Sequence, residues 1–143
     1  MATVVQHLNF RLLPAIAALL LVGCQLRPNI ISAHSQRRGD GEIVELGLRS
    51  VDAKRIKSRE LYFSVVVASC QGTSEGYPMT PYIDGQRASE FKFATAGASV
   101  KIVGRIPARI FDEFRPPCAH LRGGGYFTGT LESAPVPITG GGA

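Results

Sequence analysis

The chain lacks any long hydrophobic segment. Its longest apolar run, residues 12 to 22, is 11 residues long in a chain of 143. An α-helix rises about 1.5 Å per residue and the hydrocarbon core of a bilayer is about 30 Å thick, so this run is too short to span a membrane. Helical periodicity is weak everywhere after residue 24. These absences exclude a membrane-spanning helix and a helical bundle.

Patterns that mark metal and phosphate sites are also missing. Cys70 and Cys118 are 48 positions apart, which is a weak zinc signal. The adjacent acids Asp112 and Glu113 point in different directions and form no evident calcium or acid–base pair. The run Gly123–Gly125 is followed by Tyr126 and strand-like residues, so it predicts a turn or bulge rather than a phosphate cradle. No metal and no cofactor is therefore expected.

The sequence offers little to a catalytic site. No G-x-S-x-G motif marks a nucleophile elbow. His120 is the one histidine in the predicted folded part, and it stands two positions after Cys118. A cysteine–histidine pair needs a free thiolate, which a disulfide would remove. We therefore expect a protein that is not an enzyme.

The first 24 residues have the charge and hydropathy pattern of a targeting segment. Residues 1 to 11 hold one fixed cation, Arg11, and no acid, and the apolar run that follows ends at Gly23 and Cys24. A weakly basic start, a short apolar core and small residues at the cut are typical of a secretory signal.

Leu21, Val22, Gly23 and Cys24 resemble the lipobox of bacterial lipoproteins, in which an aliphatic residue, a small or aliphatic residue and Gly or Ala precede Cys. The resemblance covers residues 1 to 24 only. It implies that Cys24 receives a diacylglycerol and that the signal is cut before it. Gln25, where an Asp would retain enteric lipoproteins at the inner membrane, implies the periplasmic face of the outer membrane. An ordinary signal peptide, or a buried apolar helix, is the alternative.

Export to an oxidising compartment would determine the state of the other two cysteines. With Cys24 carrying lipid, Cys70 and Cys118 remain in an oxidising compartment, where an even pair predicts a disulfide. Removing the signal takes one Arg from a net charge of +5, which leaves +4 (5 − 1). An exported chain with this mild excess favours anionic headgroups or an acidic protein as partner, and not nucleic acid.

The mature chain divides into a tether and one domain. Residues 24 to 41 hold the acylated cysteine and are polar, with Pro, Ser and Gly, and they predict a flexible tether. Residues 42 to 138 predict the folded domain, and residues 139 to 143 a disordered tail. Five segments predict strands: the alternating residues 42 to 50 and 100 to 110, the apolar run 61 to 70, and the shorter runs 89 to 95 and 126 to 133.

About five strands separated by turn signals predict an all-β fold. We expect a small antiparallel β-sandwich, immunoglobulin-like or transthyretin-like, although the tryptophan of true immunoglobulin domains is absent. Residues 52 to 60 predict a charged connection and residues 112 to 125 a loop. Pro107, which donates no ladder hydrogen bond, predicts an edge strand or a bulge, and Asp84–Gly85 a turn.

Candidate partner-binding residues lie in two places. Lys101, Arg105 and Arg109 would line one face of a strand, where they bind a partner or keep an edge strand from pairing with other chains. Tyr77 and Tyr82 lie in a segment suited to protein contact, with packing into the core as the alternative. We expect a lipid-anchored, non-enzymatic binding or structural module of the bacterial envelope with a protein partner. A small periplasmic hydrolase or ligand-binding protein is the alternative.

Overall fold

The computed structural model describes residues 25–72, 75–88, 98–125 and 129–140. Cys24 and the predicted signal of residues 1 to 23 lie outside the described residues, as do the predicted strand at 89 to 95 and the first part of the one at 126 to 133. The elements are β1 (Ile30–Arg38), β2 (Gly41–Arg49), α1 (Ser50–Ser58), β3 (Tyr62–Ser69), β4 (Tyr77–Met79), β5 (Tyr82–Ile83), β6 (Gln86–Arg87), β7 (Ser99–Pro107), α2 (Ala108–Phe111), β8 (Pro117–Gly125), β9 (Gly129–Glu132) and β10 (Val136–Pro137).

Two antiparallel sheets form the fold. The first sheet has the order β1-β2-β7-β5-β6, and the second has the order β10-β8-β3-β4 with β9 also paired to β8. The named strand pairs are all antiparallel. The predicted all-β antiparallel sandwich is confirmed.

The core lies between the two sheets and follows the alternation of the sequence. Val44, Leu46 and Leu48 of β2 are at most 1% exposed, and Ile102 and Ile106 of β7 pack beside them. The second sheet contributes Val65, Val67, Ala119 and Leu121, which are all fully buried. β3 lies between β4 and β8, as expected for a central strand, and Val66 on its other face is also buried.

The prediction of a flexible tether over residues 24 to 41 is wrong for most of that segment. Leu26 is buried, and β1 pairs with β2 along its length. A bulge between Ile30 and Ser32 shifts the register, so Ile30 and Ala33, three positions apart, both point into the core. The segment therefore lacks the period-two pattern that would have identified a strand.

The charged connection predicted at residues 52 to 60 is mostly a helix. α1 follows β2 directly and crosses one end of the sandwich to reach β3. Ala53 and Ile56 face the core, and the carboxylate of Asp52 accepts a hydrogen bond from the backbone N–H of Asn29 at 3.1 Å. Two buried apolar residues give too short a stripe for a helical pattern to stand out among the charges.

The loop predicted over residues 112 to 125 becomes a strand from Pro117 onward. β8 pairs with β3 along eight positions, from Ser69–Pro117 to Tyr62–Gly124. Gly123–Gly125, predicted to form a turn or bulge, lie within this strand. Position 123 requires glycine, because a Cβ there would collide with the backbone oxygen of Tyr62. The small residues that allow this close approach also hide the alternation.

The remaining turn predictions have mixed outcomes. Asp84 and Gly85, with φ of 50° and 77°, close the β5–β6 hairpin as the sequence predicted. Pro107 is the last residue of β7, opposite Gly41, and α2 begins at the next residue. β7 is not an edge strand, since it lies between β2 and β5, although β5 pairs with it only at Val103.

Both terminal segments close the same side of the sandwich. Leu26 forms a parallel bridge with Leu131 of β9, and Thr139 forms one with His34 of β1. The disordered tail predicted from residue 139 is therefore wrong for Thr139 and Gly140, since Thr139 exchanges backbone hydrogen bonds with Ala33 and Ser35. Residues 141 to 143 lie outside the described part.

Candidate functional site

The chain enters the fold at one end of the sandwich, which we call the entry pole: Gln25–Arg27, Ile30–Ile31, Arg49, α1 and Glu60–Tyr62. The opposite end, with the β1–β2 turn, α2 and residues 112 to 116, is the far pole. Leu26 anchors the entry point, because its N–H donates to Thr130 at 2.8 Å and its carbonyl accepts from Glu132 at 3.1 Å. Gln25, the first described residue, is therefore held next to β9.

Helix α1 presents a basic face at the entry pole. Ala53 and Ile56 are buried, whereas Val51, Lys54, Arg55 and Ser58, at helical spacing, are exposed on the opposite side. Residues 49 to 60 carry five cations (Arg49, Lys54, Arg55, Lys57 and Arg59) against Asp52 and Glu60, a net charge of 5 − 2 = +3. Asp52 is buried and pairs loosely with Arg55, at 3.8 Å.

Large apolar side chains are exposed at the same pole. Ile31 is 49% exposed, Val51 51% and Tyr62 62%. Ile31 is the residue at the bulge of β1, where it lies against Gly47 on the outer face of the first sheet. Tyr62 opens β3 beside Gly124, which is in turn paired with Thr130. The pole thus joins cations to apolar side chains that the described fold leaves uncovered.

A groove of about 600 Å³ opens beside the entry pole. The end of α1, the start of β3 and the segments around β5 and β6 line it, with Tyr62, Phe63 and Pro81 as apolar walls and Glu60 and Arg87 among its charged groups. Its volume lies in the range of small-ligand pockets.

The predicted partner-binding tyrosines differ in their surroundings. Tyr77 pairs with Val67 of β3 and packs against the core, as its alternative interpretation required. Tyr82 is 37% exposed and pairs with Val103, so it lies on the outer face of the first sheet. The structure does not bring the two tyrosines onto one surface.

The predicted row of cations is shorter than expected. Lys101 and Arg105 share the outer face of β7, where Lys101 pairs with Glu45 and Arg105 with Asp40, both at 3.0 Å. Arg109 does not continue the row, because the strand ends at Pro107 and Arg109 lies in α2. Exposed pairs such as these contribute at most about 1 kcal/mol to stability.

The predicted disulfide between Cys70 and Cys118 is formed, with 48 residues of sequence separation. It joins the end of β3 to the start of β8, within the second sheet rather than between sheets. Ala68 lies opposite Cys118 in the register, and the Cys70 N–H donates to the carbonyl of Pro116 at 2.8 Å. The disulfide therefore reinforces a strand pair that is already hydrogen-bonded.

His120 and Asp112 occupy different surroundings. His120 is half-buried in β8, opposite Val66, and burial lowers its pKa below the ordinary value while Glu132 acts in the opposite direction. Asp112 pairs with Arg37 and Arg115, and the hydrogen bond from Arg37 holds the pKa of this carboxyl below its ordinary value. Asp112 therefore forms ion pairs with two arginines at the far pole.

The far pole also contains a buried charge pair that the sequence patterns did not predict. The side chain of Glu42 is 0% exposed and accepts a hydrogen bond from Nε of Arg37 at 2.8 Å. Glu42 occupies an inward position of β2, opposite Ile106 of β7. The sequence did contain a signal for this pair, because Glu42 is a charged residue at an inward position of an otherwise apolar alternation (42, 44, 46, 48).

Within residues 25–72, 75–88, 98–125 and 129–140, no helix has the length and apolarity to cross a membrane. The same residues hold no group of three or more His, Cys, Asp or Glu side chains that could bind a metal ion. No family model, curated protein or solved structure matches the chain.

Proposed function

We propose that this chain is a bacterial lipoprotein, anchored in the envelope through acylated Cys24, whose sandwich domain acts as a non-enzymatic binding or structural module. The observation that carries the proposal is the sequence Leu21–Val22–Gly23–Cys24 at the end of an apolar signal-like run. The fold supports it by position, because the folded domain begins at Leu26, directly after the acylation site.

The disulfide supports export independently of the signal. Disulfides persist in oxidising compartments and are rare in the cytosol. Cys70 and Cys118 are bonded to each other, which leaves Cys24 as the one cysteine of the chain available for lipid. A diacylglycerol with a further acyl chain holds a protein firmly, since one chain alone gives only marginal binding. The periplasmic face of the outer membrane is the proposed location.

Palmitate labelling in bacterial cells tests the anchor. We expect the wild-type chain to incorporate labelled palmitate and to fractionate with the outer membrane, and Cys24→Ala to do neither. The matched control is the double variant Cys70→Ala/Cys118→Ala, which also loses cysteine but keeps the lipobox and should still be labelled. Equal labelling of wild type and Cys24→Ala would refute the proposal.

A second candidate function is the binding of a small ligand, which the groove beside the entry pole favours. The test is native mass spectrometry of the protein extracted from its membrane. A stoichiometric small molecule that is lost in Thr80→Arg, a substitution at an exposed position of the groove lining, would support ligand binding. A wild-type protein that carries no bound molecule would count against it.

A further inference from the structure

Resting on the proposed acylation of Cys24, we propose that the entry pole is a membrane-contact surface that holds this end of the domain against an anionic bilayer. The occupant of this surface is the headgroup layer, with the basic face of α1 against phosphates and with Ile31, Val51 and Tyr62 at the apolar boundary. The alternative arrangement, in which a long tether holds the domain away from the membrane, conflicts with the bonding of Leu26.

The first step concerns reach. Consecutive Cα atoms are 3.8 Å apart, so the Cα of an acylated Cys24 lies within about 7.6 Å of the Cα of Leu26. Leu26 is 6% exposed and is hydrogen-bonded to β9 on both its N–H and its carbonyl. The lipid therefore enters the bilayer beside the sandwich, and the pole that carries Leu26 lies at the headgroups.

The second step concerns apolar surface. Four large apolar side chains are at least 37% exposed within the described part of the chain, and three of them, Ile31, Val51 and Tyr62, belong to the entry pole. The fourth, Tyr82, lies on the outer face of the first sheet between the poles. Tyrosine is enriched where proteins meet headgroups, because its ring is apolar and its hydroxyl is polar. This distribution matches a pole that contacts lipid.

The third step concerns charge. The exposed face of α1 places Lys54 and Arg55 beside Val51, and Arg49 precedes the helix. A surface helix with cations and apolar residues on its outward side is suited to the interface of an anionic membrane. In the first sheet Lys101 and Arg105 are each paired with an acid, Glu45 and Asp40. At α1, Arg55 pairs loosely with Asp52, but five cations face two acids over residues 49 to 60, so a net charge of +3 remains. Excess positive charge thus accompanies the exposed apolar residues.

The absence of tryptophan makes a direct experiment possible. Tyr62→Trp creates the single tryptophan of the chain at the entry pole. Arg38→Trp creates one at the far pole, at the opposite end of β1, a nine-residue strand about 27 Å long. Each acylated full-length mature protein is reconstituted into vesicles of phosphatidylcholine and phosphatidylglycerol that carry brominated acyl chains. We expect strong quenching and a blue shift at position 62 and neither at position 38. Equal quenching at both positions, or no quenching at position 62, would overturn the proposal.

A second measurement tests the charge. In the Tyr62→Trp protein, Arg49→Gln/Lys54→Gln should shift the equilibrium from contact to detachment about 25-fold, at about fivefold for each cation. The matched control, Arg38→Gln/Arg109→Gln, removes the same charge from the far pole and should leave the quenching unchanged. Equal effects of the two double variants would contradict the assignment.

The failure of the anchor and the failure of the contact surface are distinguishable. If the chain is not acylated, palmitate labelling is absent and the protein does not float with the vesicles. If it is acylated but stands away from the membrane, it floats and position 62 remains unquenched. In that case the entry pole is free for another partner, and the membrane-contact proposal is wrong although the lipoprotein proposal stands.

Discussion

Arg37 joins a fully buried carboxylate to the far pole. Its Nε donates to Oε2 of Glu42 at 2.8 Å, and its Nη2 donates to Oδ1 of Asp112 at 2.7 Å. Within the described residues, Oε1 of Glu42 has no hydrogen-bond partner. One cation of β1 therefore compensates a charge on the inner face of β2 and ties the end of α2 to the same strand.

Removal of Arg37 should destabilise the fold. Arg37→Met leaves the buried carboxylate of Glu42 without its counter-charge. We expect a loss in the free energy of unfolding that is smaller than for a fully buried pair, because the Arg37 side chain is 37% exposed. Urea unfolding measures it.

Two further variants control this prediction. Arg38→Met, at the exposed neighbouring position, should change stability by no more than about 0.5 kcal/mol. Arg37→Met/Glu42→Leu removes both charges and should recover most of the loss. If the double variant is no more stable than Arg37→Met, the unpaired carboxylate is not the cause.

His120 should make stability depend on pH. Burial lowers its pKa, so the unfolded chain binds the proton more readily than the folded one. Stability therefore rises with pH in the window between the lowered folded pKa and the unfolded value near 6.5, and it is lost as pH falls through that window. We expect His120→Gln to abolish this slope in unfolding curves measured across the window. An unchanged slope would show that another group causes it.

Reduction of the disulfide should lower stability without changing the strand order. In the chain-entropy model a loop of about 49 residues corresponds to about 4 kcal/mol. We expect Cys70→Ala/Cys118→Ala to lose about that amount and to retain its circular dichroism spectrum, because β3 and β8 remain paired by backbone hydrogen bonds. The wild-type chain in reductant should lose the same amount of free energy of unfolding. A much smaller loss would indicate that the reduced unfolded chain is already compact.

Gly123 should tolerate no side chain. An added Cβ would press on the backbone oxygen of Tyr62 and lie 2.7 Å from Cα of Phe63, so β8 would have to move away from β3. We expect Gly123→Ala to lose about 1–3 kcal/mol in chemical unfolding. Gly124→Ala is the matched neighbour, where the nearest atom is 3.1 Å away and the loss should be smaller. Equal losses would indicate a backbone effect common to both glycines.

Sequence patterns predicted the strands whose two faces differ in polarity. β2 and β7 alternate cleanly because one face packs on the core and the other is solvated. β3 was identified because a dense run of β-branched and aromatic residues is typical of a covered strand. The bond between Cys70 and Cys118 followed from the number of cysteines once export was assumed.

The missed elements have physical reasons in common. A bulge shifts the inward positions of β1, a helix with two buried apolar residues shows little periodicity, and β8 uses small residues where strands approach closely. The exposed apolar side chains of the entry pole could not be identified either, since exposure depends on which residues the fold leaves uncovered. The cations of α1 are visible in the sequence, but the position of the helix beside Asn29 depends on the tertiary fold.

The pairing of Leu26 with β9 has a mechanical consequence. Leu26 donates to Thr130 and accepts from Glu132, so a pull on the chain at Gln25 loads both hydrogen bonds to β9 together. Leu26 and Leu131 are both buried. Tension applied at Leu26 therefore acts directly on the hydrophobic core, since no flexible segment lies between Leu26 and β9. A force on the chain at Gln25 is therefore a force on the whole domain.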